Sequence, residues 1–203
     1  MAKPKILVVF YSMTGNTAKL AKALAEGAKG AGADVSLRQV QELIPEEKWN
    51  DAMKKVKEEL KNIPIATNDD LVWADGIAFG TPTRYGNMSS QLKQFIDQTG
   101  GLWMKGALIN KVATIFASVS TQHGGHETTI LTSIPPLLHH GMIVIGVPYS
   151  EQKLMSMELG GGSPYGASSV SSPTADKPPT ENDIDIAKTQ GKRLAEITKR
   201  LCR

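Results

Sequence analysis

The chain of 203 residues is 40% hydrophobic and 21% charged, with a formal net charge of +3. Such a chain can bury a sizeable core as one domain, and no apolar run in it is long enough to cross a bilayer. Its Lys and Arg residues are interleaved with Glu and Asp, as in KKVKEELK at 54–61, which makes a solvated helix face and not a nucleic-acid footprint.

The first predicted strand, Ile6–Tyr11, is apolar and runs into Ser12-Met13-Thr14-Gly15-Asn16-Thr17. A helix follows, with Leu20, Ala21, Leu24, Ala25 and Ala28 on one face, and Gly30 and Gly32 end it. Residues 34–38 are mixed in polarity, as an edge strand is. Trp49, Met53, Val56 and Leu60 form a second helical stripe, starting after Pro45. Trp73 ends a further helix and is expected in the core. The third strand is Gly76–Gly80, followed by a stripe of Met88, Leu92, Phe95 and Ile96. The fourth strand is Val112–Ser118, followed by Ile130, Leu131, Ile134, Leu137 and Leu138. Pro135-Pro136 falls inside that stripe and predicts a kink or break. Met142–Gly146 is the fifth strand. Residues 160–180 form a long Gly/Ser/Pro-rich loop, and 181–202 the closing helix.

Near-continuous apolar strands alternating with helices predict an α/β fold with a five-stranded, doubly wound parallel sheet and helices on both faces. A phosphate-type loop after the first strand favours the flavodoxin-like order 2-1-3-4-5, with 1–203 as a single domain. Ligands of such sheets bind beyond the carboxyl ends of the strands.

Three loops at that edge carry the chemistry. Residues 12–17 place hydroxyls and free backbone N–H groups at the positive end of a helix, which suits a phosphate. The loop lacks GxxxxGK[ST] and GxGxxG, so it fits neither a nucleoside triphosphate nor the dinucleotide fingerprint. A phosphate held without a fixed cation suits flavin mononucleotide (FMN). The second loop is Thr81-Pro82-Thr83-Arg84-Tyr85-Gly86-Asn87, whose N–H groups and ring can frame a flat heterocycle, with Asn87 suited to cap the next helix. The third is Ser118-Val119-Ser120-Thr121-Gln122-His123-Gly124-Gly125.

The chain resembles the WrbA family of NAD(P)H:quinone oxidoreductases essentially end to end. The residues that carry the likeness are YSMTGNT at 11–17, FGTPTRYGNMSSQLKQFIDQTGGLW at 79–103, HHGM at 139–142 and GGGSPYGA at 160–167. The resemblance implies one FMN per site, with Ser12, Met13, Thr14, Gly15, Asn16 and Thr17 on its phosphate. It also implies Pro82, Thr83, Arg84 and Tyr85, together with Ser118, Val119, Ser120, Thr121, Gln122 and His123, around the ring and ribityl chain. His139 is implied near the ring, as a donor to the flavin or to a quinone oxygen. Trp103 is implied as a wall of the substrate pocket, beside a neighbouring subunit's flavin in a homotetramer. Thr14 departs from the bulkier aromatic that relatives often carry there. The implied reaction is two-electron reduction of quinones by NADH or NADPH, ping-pong through one site.

Other chemistries are weaker. His123 and His126, or His139 and His140, find no Cys or carboxylate cluster to complete a metal site, so no metal is expected. No GxSxG nucleophile elbow is present. One cysteine, Cys202, forms no intrachain disulfide, and MAKPK has no signal-peptide pattern, so a cytoplasmic protein is expected. The rival readings are a flavodoxin-type electron carrier and an FMN-binding regulatory protein.

Overall fold

The computed structural model describes residues 3–201; Cys202 lies outside them. Strands β1 (Lys5–Phe10), β2 (Asp34–Gln39), β3 (Gly76–Pro82), β4 (Val112–Val119) and β5 (Ile143–Val144) form a parallel sheet in the order β2-β1-β3-β4-β5. β1, β3 and β4 are almost wholly buried, because helices cover both faces. β2 is half-buried from Val35 to Gln39 and exposed at Asp34, in keeping with its mixed sequence.

Side chains of β1 alternate between two cores. Ile6, Val8 and Phe10 meet α1 (Asn16–Gly30), α2 (Asp51–Leu60) and α7 (Glu181–Leu201). Leu7 and Val9, with Tyr11 just past the strand's end, meet α3 (Asn68–Trp73), α4 (Ser90–Asp97) and α6 (His126–His139). A short α5 (Gly100–Met104) leads towards β4. Trp49 lies just outside α2, and its Nε1 donates to the Ile44 carbonyl at 2.8 Å.

α1 and α7 cross at very close range. A Cβ on Gly191 would stand 1.9 Å from the Leu24 carbonyl oxygen, and one on Gly27 1.9 Å from that of Lys188. Only glycines allow the two backbones to meet there. Buried Gln190 of α7 then ties the sheet. Its Nε2 donates to Thr114 Oγ1 (2.6 Å) and the Ile115 carbonyl (2.8 Å), and its Oε1 accepts from the Ala167 amide (2.9 Å).

Three sequence expectations are corrected. The fifth strand is shorter than Met142–Gly146. Its place beside β4 is shared with a sixth strand, β6 (Ser168–Val170), which pairs in parallel with Ala117–Val119. Residues 160–180 are therefore not loop throughout. Second, Pro135 and Pro136 do not break α6, which runs unbroken to His139. The carbonyls deprived of donors belong to Leu131 and Thr132, which are exposed and open to water. Third, Ser89 caps α4, accepting from the Leu92 amide, and Asn87 does not. Asn87 instead closes a two-residue turn with Arg84, by paired backbone bonds of 2.7 and 3.0 Å.

Candidate active site

The carboxyl edge of β1 delivers the first loop into α1. Ser12 is buried, and its Oγ accepts from the Gly15 amide (3.1 Å) and the Ala18 amide (3.2 Å). Gly15 has φ +95°, a left-handed conformation that needs glycine at this turn. The backbone N–H groups of Asn16 and Thr17, both buried residues, have no acceptor among the described residues. No acidic side chain stands in the first turn of α1. Orphaned donors at a positive helix end, with no competing carboxylate, fit a phosphate group.

The second loop leaves β3 beside it. Tyr85 (φ +54°) and Gly86 (φ +78°) are both left-handed, which turns the chain back tightly. The Tyr85 ring is fully exposed. The Thr83 amide donates to the Ser118 carbonyl at 2.8 Å, and Thr83 Oγ1 accepts from the Gly86 amide (3.2 Å) and Thr129 Oγ1 (2.8 Å). An Arg84 guanidinium N–H reaches Met13 Sδ at 3.5 Å, joining the second loop to the first. Pro82 ends β3 against Ser118 of β4.

The third loop follows β4. Ser118 and Val119 are buried in the sheet, whereas Ser120, Thr121, Gln122 and His123 are exposed. A turn closes it, with the Gly124 amide donating to the Thr121 carbonyl at 2.9 Å. A cavity of about 360 Å³ adjoins this loop, walled by Gln122, His123, His126 and Gly160 rather than by the phosphate loop. His126 Nδ1 meets Ser168 Oγ at 2.8 Å, and burial holds its pKa below the ordinary 6.5.

A carboxylate the sequence reading passed over supports the first loop. Glu42 accepts from Tyr11 Oη (2.8 Å), Gln91 Nε2 (2.9 Å) and the Leu43 and Ile44 amides, and pairs with Lys57 at 2.7 Å. Burial opposes its ionisation, but bonds from Lys57, the Ile44 amide, Gln91 and Tyr11 outweigh that and lower its pKa to about 2. Burial, then Glu42, pushes the Tyr11 hydroxyl well above its ordinary value. Thr129, wholly buried where α6 begins, was likewise not singled out by sequence.

His139 and Trp103 stand elsewhere. α6 starts beside the second loop and carries His139 to its far end. There the Asn110 amide donates to the Gly141 carbonyl, and Ile143 pairs with the first residue of β4. That is the amino edge of the sheet. Trp103 Nε1 donates to the His139 carbonyl at 3.0 Å in the same place. Within one protomer the three loops converge, and these two residues do not join them.

A parallel sheet of this order, with three polar loops at one edge, defines a flavodoxin-like protein. Among solved structures, "the flavodoxin, WrbA-like protein from Agrobacterium tumefaciens" aligns with a TM-score of 0.68 at 22% identity, covering 97% of this chain and 98% of that one. "A flavodoxin from the domain Archaea" aligns with a TM-score of 0.63 at 21% identity, covering 96% and 99%. At such identities the likeness establishes the fold.

The chain belongs to the NADPH-dependent FMN reductase family, which residues 4–151 match. It is an oxidoreductase with FMN as cofactor and a nicotinamide as electron donor. It is similar to the "NAD(P)H dehydrogenase (quinone)" of Aromatoleum aromaticum, 46% identical over 202 residues, covering 98% of each chain. It is 49% identical over 200 residues to the protein of the same name from Trichlorobacter lovleyi, covering 97% of this chain and 98% of that one. Among the described residues no helix is long and apolar enough to cross a membrane.

Proposed function

We propose that the protein is a quinone reductase of WrbA type, moving two electrons from NADH or NADPH to a quinone at one FMN site. The observation that carries the reading is the phosphate cradle. Asn16 and Thr17 present buried, unclaimed N–H groups where two further ligand loops meet. The names of the two full-length relatives support the quinone as acceptor.

When bound, FMN would supply the two-electron redox chemistry that links nicotinamide and quinone. The chain supplies the rest. Ser12, Met13, Thr14, Gly15, Asn16 and Thr17 hold the phosphate. Pro82, Thr83, Arg84 and Tyr85, together with Ser118–His123, would hold the ring and ribityl chain. Donor and acceptor use the same opening in turn, which gives ping-pong kinetics.

His139 and Trp103 belong to this site only through a second copy of the chain. Trp103 and its neighbour Met104, and Leu138 beside His139, are exposed apolar side chains, and such groups suit an interface between copies. A cytoplasmic homotetramer with dihedral symmetry brings that face of one copy to the loops of another. His139 then donates a hydrogen bond to the quinone oxygen as negative charge develops on it.

The test is turnover by the FMN-loaded protein. NADH and NADPH oxidation is followed with and without benzoquinone. Fast quinone-dependent oxidation with parallel double-reciprocal lines supports the reductase. FMN bound without nicotinamide oxidation overturns it in favour of an electron carrier.

A further inference from the structure

We propose that residues 171–177 form a latch that sets the phosphate cradle through Asn16, making the Lys177 carbonyl a positioning group for FMN binding. The proposal rests on the reading that residues 12–17 hold the FMN phosphate.

Asn16 opens α1 and is buried. Its Nδ2 donates to the Lys177 carbonyl at 2.9 Å, a contact between residues 161 positions apart. A carboxamide nitrogen carries two N–H groups. Fixing one fixes the plane of the other, beside the free backbone N–H groups of Asn16 and Thr17.

The same segment is anchored to the third loop. The Val119 carbonyl accepts from both the Ser171 amide (2.8 Å) and Ser171 Oγ (3.1 Å). The Lys177 amide returns to the Ser171 carbonyl at 3.0 Å, which closes the segment at its base. Within it, the Ser172 hydroxyl bonds the Asp176 carboxylate and Thr174 Oγ1. Ser172 (φ +70°) and Ala175 (φ +59°) are non-glycine residues in the left-handed region. Residues leave that region unless their surroundings hold them. Internal bonds therefore hold the latch in shape, while separate bonds at its two ends tie it to two of the three ligand loops. Coupling of this kind is reciprocal: a closed latch slows FMN release, and bound FMN steadies the latch.

The test is amide hydrogen exchange over 171–177, with and without saturating FMN, alongside FMN release followed by flavin fluorescence. Wild type, Ser172→Ala and Asn16→Ala are compared. FMN slows exchange across the segment in wild type. Ser172→Ala leaves every residue of the cradle in place, yet speeds FMN release about five- to tenfold, the scale of one or two hydrogen bonds. The thermal midpoint of FMN-free Ser172→Ala stays at the wild-type value, which a general loss of stability would not allow. Asn16→Ala, which removes a cradle group together with the bond to the Lys177 carbonyl, weakens FMN binding and abolishes the FMN-dependent protection of 171–177. Unchanged exchange in FMN-bound wild type, or wild-type release from Ser172→Ala, overturns the latch alone. Failure of wild type to bind FMN overturns both the latch and the functional reading.

Discussion

Trp103 and His139 are joined by an indole-to-carbonyl bond of 3.0 Å at the amino edge of the sheet, while Ser12 and Gly15 stand at the carboxyl edge. One helix separates the two ends: fourteen residues, or about 21 Å at the α-helical rise. A site that uses both ends needs two copies of the chain. Leu138→Glu places a charge on the exposed apolar face beside His139. Sedimentation should show smaller species, with FMN binding kept and quinone turnover lowered at least tenfold. Full turnover by the smaller species would remove His139 and Trp103 from the site.

Ser12→Ala deletes the one acceptor that both the Gly15 and Ala18 amides use. Losing such a cap costs about 1 kcal/mol. The freed amides also lose the geometry that orients the Asn16 and Thr17 N–H groups, which on the proposed reading meet the phosphate. Fluorescence titration should show FMN affinity down by about tenfold, with the far-ultraviolet dichroism of the protein unchanged.

Gly191→Ala forces a methyl group into the Leu24 carbonyl across the α1–α7 crossing. Backbone is the obstacle, so no side-chain rotation relieves it. Urea unfolding should show a loss of about 3 kcal/mol, the upper range for overpacking. Gly30→Ala is the control, since a Cβ there meets nothing within 4 Å.

The Glu42 carboxyl titrates at about 2 in the folded chain, against an ordinary 4.5. A depressed carboxylate pKa adds stability at pH above 4.5, and that stability drains away as pH falls from 4.5 towards 2. Glu42→Gln keeps the shape but removes the charge opposite Lys57. Its urea midpoint should lie below that of wild type at neutral pH, and the gap should narrow steadily as the pH drops through that window.

β1, β3 and β4 are legible because buried parallel strands must be apolar along their whole length. The three loops are legible because each interrupts such a run with hydroxyls and glycine. β6 is not. Ser168 and Ser169 are wholly buried yet polar, and a run of three residues has no usable period. Ser168 is accommodated by its bonds to His126 and the Gly162 amide, which no local pattern announces. Asn87 and Ser89 compete as caps two residues apart, and the left-handed pair Tyr85-Gly86 decides between them. The position of His139 follows from the sequence only if α6 is taken as continuous: counted from Gly125, it falls at the far end of the helix, whereas Pro135-Pro136 point to an interruption. Glu42 lies in an irregular segment, and its five partners come from four separate stretches of chain.

The shared fifth place in the sheet has a consequence for how the molecule can change. The chain leaves β4's side after Val144, opposite Ala113, and comes back to it at Ser168, opposite Ala117, so both ends of the excursion are fixed on one edge of β4. Lengthening such a closed detour costs only a slowly growing entropy. Its outer part, with exposed Tyr149, Met155 and Met157, can be redrawn while the strands beneath keep their register. The fold thus carries a replaceable rim on an unaltered frame, which selection can redraw without renegotiating the core.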